Sequence, residues 1–160
     1  MQDSTSPVTS VTWLSAQNDT KYVLASAQAR AIHLHHVTTQ RLLSSAYLPD
    51  NSGVRSSVPS ESVLTVSASP HSCQHMLAAG GTEGPLVLFG RTLASMRTLT
   101  VGGSQAGGGA ARAHSSRVCA LEWHPEDENM LLSGGWDLTV KVLSTQCLSL
   151  IHISEPTRPY

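Results

Sequence analysis

His114, Ser133 and Asp137 are the three side-chain types of a nucleophilic triad, and "HLHH" at residues 33–36 is dense in imidazole, a common ligand for zinc or copper. Hydrolysis by such a triad needs an exposed hydroxyl, a base within hydrogen-bond reach and an oxyanion hole. The sequence contains no G-x-S-x-G elbow, which weighs against a catalytic reading. In an extended segment the period of two places His33 and His35 on one side and His36 on the other. No third ligand for that side is evident, so these residues read as surface or interior histidines. The glycine run at 102–109 lacks the Lys-Ser/Thr ending of a phosphate loop and reads as a linker. Glu126, Asp127 and Glu128 in "HPEDEN" form a solvated acidic turn, with no second carboxylate cluster to complete a calcium cage. No metal and no cofactor is expected.

Composition narrows the classes further. The 160 residues are one domain's worth, and a net charge of -1 with 13% charged residues offers no field for nucleic acid or an anionic membrane. Aromatic residues are only 4%, and Ser, Thr, Val, Leu, Ala and Gly dominate, which suits short strands joined by small-residue turns. Cys73, Cys119 and Cys147 are odd in number, far apart and form no C-x-x-C, so neither a zinc knuckle nor a disulfide framework is expected. The start, "MQDSTSPVTS", has neither a basic nor an apolar signal-peptide region, and no apolar stretch approaches the roughly 18 residues of a membrane span. The expectation is a reduced, soluble, intracellular chain, cytoplasmic or nuclear.

The elements that would position these residues repeat. Alternating runs begin at Val8 ("VTSVTW"), Val63 ("VLTVSA") and Val118 ("VCALEW"), 55 residues apart at each step. Small-residue runs follow near Ala25, Ala79 and Ser133, 54 apart. A third alternating run ends each unit's core: "AIHLHH", "PLVLFG" and "TVKVLS". A fourth, "TTQRLLSSAYL" or "ASMRTLTV", closes the first two units. Period-two alternation bounded by Gly, Ser, Asn and Pro marks half-buried strands. The chain therefore divides into repeat 1 (5–48), a linker (49–61), repeat 2 (62–101), a Gly-rich linker (102–112), repeat 3 (113–147) and a tail (148–160).

The third unit, "AHSSRVCALEWHPEDENMLLSGGWDLTVKVLS", resembles the WD-repeat β-propeller family. The resemblance covers roughly residues 5–147 and is strong in motif only from 113 to 144. Aligned on "DLTVKV", the family's terminal Trp-Asp falls at Leu143 and Ser144, so Trp136-Asp137 is not the dipeptide that names it. The resemblance implies an all-β, incomplete WD-repeat β-propeller of about three four-stranded antiparallel blades. It also implies a buried hydrogen-bond network through His114, Ser133 and Asp137, weakened because Leu143 stands where the family has Trp. Unit 2 departs further, with Ala79, Glu83 and Phe89 at the Ser, Asp and Trp positions, and unit 1 has Ser4 for His and His35 for Trp.

By the same resemblance Trp136, Arg117 and Cys119 lie on the propeller's top face, where protein or peptide partners dock. Trp and Arg are also the types enriched at interface hot spots. The implied function is a non-catalytic scaffold for protein–protein interaction. The competing expectation is a metal-binding or hydrolytic enzyme built on "HLHH" or on the His/Ser/Asp set. The last stretch, "LSLIHISEPTRPY", resembles codon by codon, from Leu148 to Arg158, the translation of a transposase adaptor used in sequencing libraries. It reads as a non-native tail. On that reading the natural residues end near Cys147, the chain is a fragment, and three blades leave two raw faces. The apolar "LSLIHI" is then expected to pair as a fortuitous fourth strand.

Overall fold

The computed structural model describes residues 6–14, 23–48, 62–70, 77–90, 93, 96–99, 113–145 and 150–151. The expected linkers, Ser4, Cys73, Cys147 and most of the tail lie outside these residues. The described residues form twelve strands and no helix. They make three four-stranded antiparallel sheets, each in sequence order. The first sheet holds β1 (Val8–Leu14), β2 (Val23–Gln28), β3 (Ala31–His36) and β4 (Arg41–Tyr47). The second holds β5 (Val63–Ala68), β6 (Leu77–Gly81), β7 (Leu86–Phe89) and β8 (Met96–Leu99). The third holds β9 (Val118–Trp123), β10 (Met130–Gly135), β11 (Val140–Ser144) and the two-residue β12 (Leu150–Ile151), which the tail supplies.

The strand bounds follow the alternating runs closely, and the turns after β2, β3 and β10 pass through Ala29, Gln40 and Leu138 at positive φ. The repeat extends to irregularities. A β-bulge interrupts the first strand of every sheet at the same place: Val8/Ser10, Val63/Thr65 and Val118/Ala120. An extra residue at a fixed point re-aims the side chains beyond it in the same way each time. The clasp of the β6–β7 and β10–β11 turns recurs too, as Thr82 N donating to Ser62 O at 3.0 Å and Trp136 N donating to Arg117 O at 2.9 Å.

One equivalence needs correcting. A constant spacing of 54 matches Ala25 with Ser133, but the ladders match Ser26. Val11 faces Ser26, Val66 faces Ala79 and Leu121 faces Ser133. Ala29, in the β2–β3 connection, takes a φ of 50°. Ser26 and its β3 partner His33 are seven residues apart, whereas Ala79 and Val87, and Ser133 and Lys141, are eight apart. In a period-two element that single residue moves a different side chain onto the face.

The sheets pack in chain order, with β1 against β5 and β5 against β9. Two apolar cores lie at these junctions. In one, Ala25, Ala27, Ile32 and Leu34 of the first sheet meet Val63, Val66, Ala79, Val87 and Phe89 of the second. In the other, Ala78, Leu86 and Leu88 of the second sheet meet Val118, Leu121, Trp123, Leu131 and Leu143 of the third. The leading faces of the second and third sheets thus receive their predecessors, and the trailing faces of the first and second receive their successors. Polar side chains cross the junctions. Thr9 Oγ1 donates to Val63 O at 2.8 Å, Val66 N donates to Ser10 Oγ at 3.2 Å, and the Trp123 indole donates to Ser67 O at 3.1 Å.

Candidate functional site

The third sheet carries two clusters, one inside and one outside the same turn. Inside, His114 enters from the segment before β9, Ser133 from β10, and Asp137 from the β10–β11 turn. His114 Nε2 lies 2.8 Å from Ser133 Oγ, and its Nδ1 lies 3.0 Å from both oxygens of Asp137. Asp137 collects more donors than the sequence indicated. Thr139 Oγ1 donates to it at 2.7 Å, Thr139 N at 3.2 Å and Ser115 N at 3.1 Å. Lys141 sits 3.9 Å away and donates to Ala113 O at 2.6 Å. The imidazole lies so close to Gly135 that a Cβ there would come within 2.6 Å of Nδ1, so only glycine admits the ring.

Electrostatics fix the protons. Burial works against charge on Asp137, but the Thr139, His114 and Ser115 donors outweigh it and hold the carboxyl well below its ordinary range. Burial pulls His114 below the ordinary imidazole value, more than Asp137 raises it. A neutral ring then donates from Nδ1 to the carboxylate and accepts the Ser133 hydroxyl proton at Nε2.

The order Asp–His–Ser matches that of a hydrolytic triad, yet Ser133 is 1% exposed and His114 0%. A hydroxyl closed to substrate cannot act as a nucleophile; here the three groups join the loop before β9, strand β10 and the following turn. Leu143 is buried apolar filling opposite Leu131. The extra donors from Thr139 and Ser115 give Asp137 partners without any Trp. In the first sheet the equivalent positions, Ser26 and His35, bond directly, Ser26 Oγ to His35 Nε2 at 3.3 Å.

Outside the turn, Trp136 is 64% exposed. The Arg117 guanidinium carbon lies 4.9 Å from its ring centroid, a cation–π stack that leaves the other ring face open. Leu138, in the same turn, is exposed with a φ of 60°, a conformation unfavourable for a bulky side chain. Cys119 is exposed at the bulge of β9, two residues beyond Arg117. Arg117 and Trp136 were both legible as candidates, but not their mutual contact, which joins positions 19 residues apart.

"HLHH" does not converge. The His33 and His35 rings are 6.0 Å apart and tilted by 54°, and His36 Nδ1 instead accepts from Thr39 N at 3.2 Å. His33 Nδ1 is buried without a hydrogen-bond partner, and burial and then the neighbouring His35 lower its proton affinity. Among the described residues no three His, Cys, Asp or Glu side chains are placed to hold a metal ion. Among the same residues no helix is long and apolar enough to cross a membrane.

No protein-family model matches the chain, and no curated protein matches it.

Proposed function

We propose that the chain is part of a WD-repeat β-propeller and acts as a non-catalytic, intracellular scaffold that holds a protein or peptide partner across the turn bearing Trp136. The observation that carries this reading is the contrast within that turn. Trp136 offers its ring to solvent while Asp137, one residue on, is pinned by four donor groups beneath it. An aromatic anchor on a rigid support loses little entropy on binding, which is the physical basis of a hot spot. Arg117 adds a cation beside the ring and Leu138 an apolar neighbour. Reading the three sheets as blades is supported by their common strand order, their shared bulge and the adjacency of their first strands. The hydrolytic alternative would need Ser133 to reach substrate, against its burial.

The test is cross-linking from the turn. A photoreactive phenylalanine analogue in place of Trp136 should capture a protein partner that the same analogue at Glu126 does not. Trp136→Ala should then abolish capture of that partner by the otherwise unmodified chain, at an unchanged melting temperature. Equal capture from both positions, or binding insensitive to Trp136→Ala, removes the reading.

A further inference from the structure

Arg117 and Trp136 close the turn clasp of the third sheet, and Ser62 and Thr82 stand at the same places in the second. In the second sheet small polar groups complete the clasp, with Ser62 N donating to Thr82 Oγ1 at 3.0 Å. In the third a guanidinium lies over an indole instead. These places stay open when both neighbouring sheets are present, because Ser62 and Thr82, flanked on either side, remain partly exposed. The exposure of Arg117 and Trp136 is thus a property of the turn and not of an end of the stack. Among the described residues no carboxylate meets the Arg117 guanidinium. The indole face attracts its charge but offers no oxygen to its N–H donors. Lys141, the neighbouring cation, is already engaged: it sits 3.9 Å from Asp137 and donates to Ala113 O at 2.6 Å, its side chain 13% exposed.

We propose that this turn recognises an acidic segment of a partner protein: an Asp or Glu carboxylate pairs with Arg117 while an apolar side chain beside it lies on the open face of Trp136. This rests on the docking role of Trp136 and adds the chemistry of what docks. A carboxylate meets the guanidinium fork with two parallel hydrogen bonds. The contact with Trp136 holds the long Arg117 side chain in place, so less rotamer freedom is lost when the pair forms. A cationic ligand is disfavoured twice, because Arg117 repels it and already occupies one face of the indole. A phosphate group carries nearly two charges and is ordinarily met by a cluster of cations. Here one guanidinium is free, and one carboxylate balances it.

Peptide selection on the full chain tests it. A phage-displayed library of random peptides is first depleted on the immobilised Trp136→Ala chain and then selected on the unsubstituted one. The survivors should share an Asp or Glu next to Leu, Met or Phe. Binding of a synthetic fluorescent copy of the best survivor is then read by anisotropy. Arg117→Ala should weaken it roughly tenfold to a hundredfold, the scale of one charge-assisted pair. Arg117→Lys should recover only part of the loss, since an ammonium keeps the charge and lacks the fork. Arg117 is exposed, so both variants should melt at the temperature of the unsubstituted chain. Survivors without an acidic residue, or acidic survivors indifferent to Arg117→Ala, overturn the proposal and leave the docking role of Trp136 standing. So does tighter binding when phosphoserine replaces the acidic residue, the mark of a phosphate site. No survivors at all would remove both.

Discussion

The second and third sheets share strand order, bulge and turn clasp, but two of the matched positions on their leading faces differ in chemistry. Where the third sheet has Ser133, Lys141 and Leu143, the second has Ala79, Val87 and Phe89. The second fills its junction with apolar volume, every described side chain of β6 and β7 being buried. The third encloses a charged network that holds only while each group has its partner. A backbone set by alternation and a bulge thus accepts either interior. The two differ in how they fail: apolar packing loses stability with volume, whereas a buried network loses it when one partner leaves another unpaired.

Breaking the apolar side should have the largest effect. Phe89→Ala removes a side chain that is 1% exposed, and should lower unfolding stability by about 4 kcal/mol, read from the urea midpoint at constant slope. Asp137→Ala strips the network's centre and leaves His114 and the Thr139 and Ser115 amides without their acceptor. A loss of about 3 kcal/mol is expected by the same measurement. Ser133→Ala imports the second sheet's residue into the third and should cost about 1 kcal/mol, since one neutral hydrogen bond is lost.

The smallest effect separates the two sheets by pH. His114 binds protons less readily folded than its ordinary value of 6.5, so the unfolded chain protonates first as pH falls through that value. Thermal melting should therefore drop between about pH 7 and pH 5. His114→Asn should make that slope shallower while leaving the contribution of His33, which has the same sign, and Phe89→Ala should keep it. Asp137 acts lower down: its stabilisation is complete above its ordinary value of 3.8 and is lost as pH falls through its depressed folded value.

Much of this was legible from spacing. Three runs at 55-residue intervals located nearly every strand, because burial on one face imposes period two whatever the residues. His114, Ser133 and Asp137 could be grouped from motif alone. Thr139 and Lys141 could not, although Thr139 stands two residues after Asp137, the spacing at which an Asp side chain closes a turn onto the backbone. The match of Ser26, rather than Ala25, with Ser133 was hidden because it depends on a one-residue difference in spacing between ladder partners. Least legible was the contrast between Trp13, 61% exposed at the end of β1, and Trp123, 3% exposed at the end of β9. Their local sequences, "VTW" and "LEW", say nothing of whether another sheet lies alongside.

The order of the sheets along the stack also ranks them in resistance to opening. In an array where each unit touches only its neighbours, cohesion resides in the junctions, and a unit flanked on both sides must lose two to come apart. The second sheet is the only one so placed among the described residues. Its amide hydrogens should therefore exchange slowest, released only in global unfolding, while the outer sheets should open singly and reclose on it, a ranking that native-state hydrogen exchange reads directly. The middle of the chain is thus its thermodynamic keel, although the titrating network and the exposed tryptophans all belong to the sheets on either side.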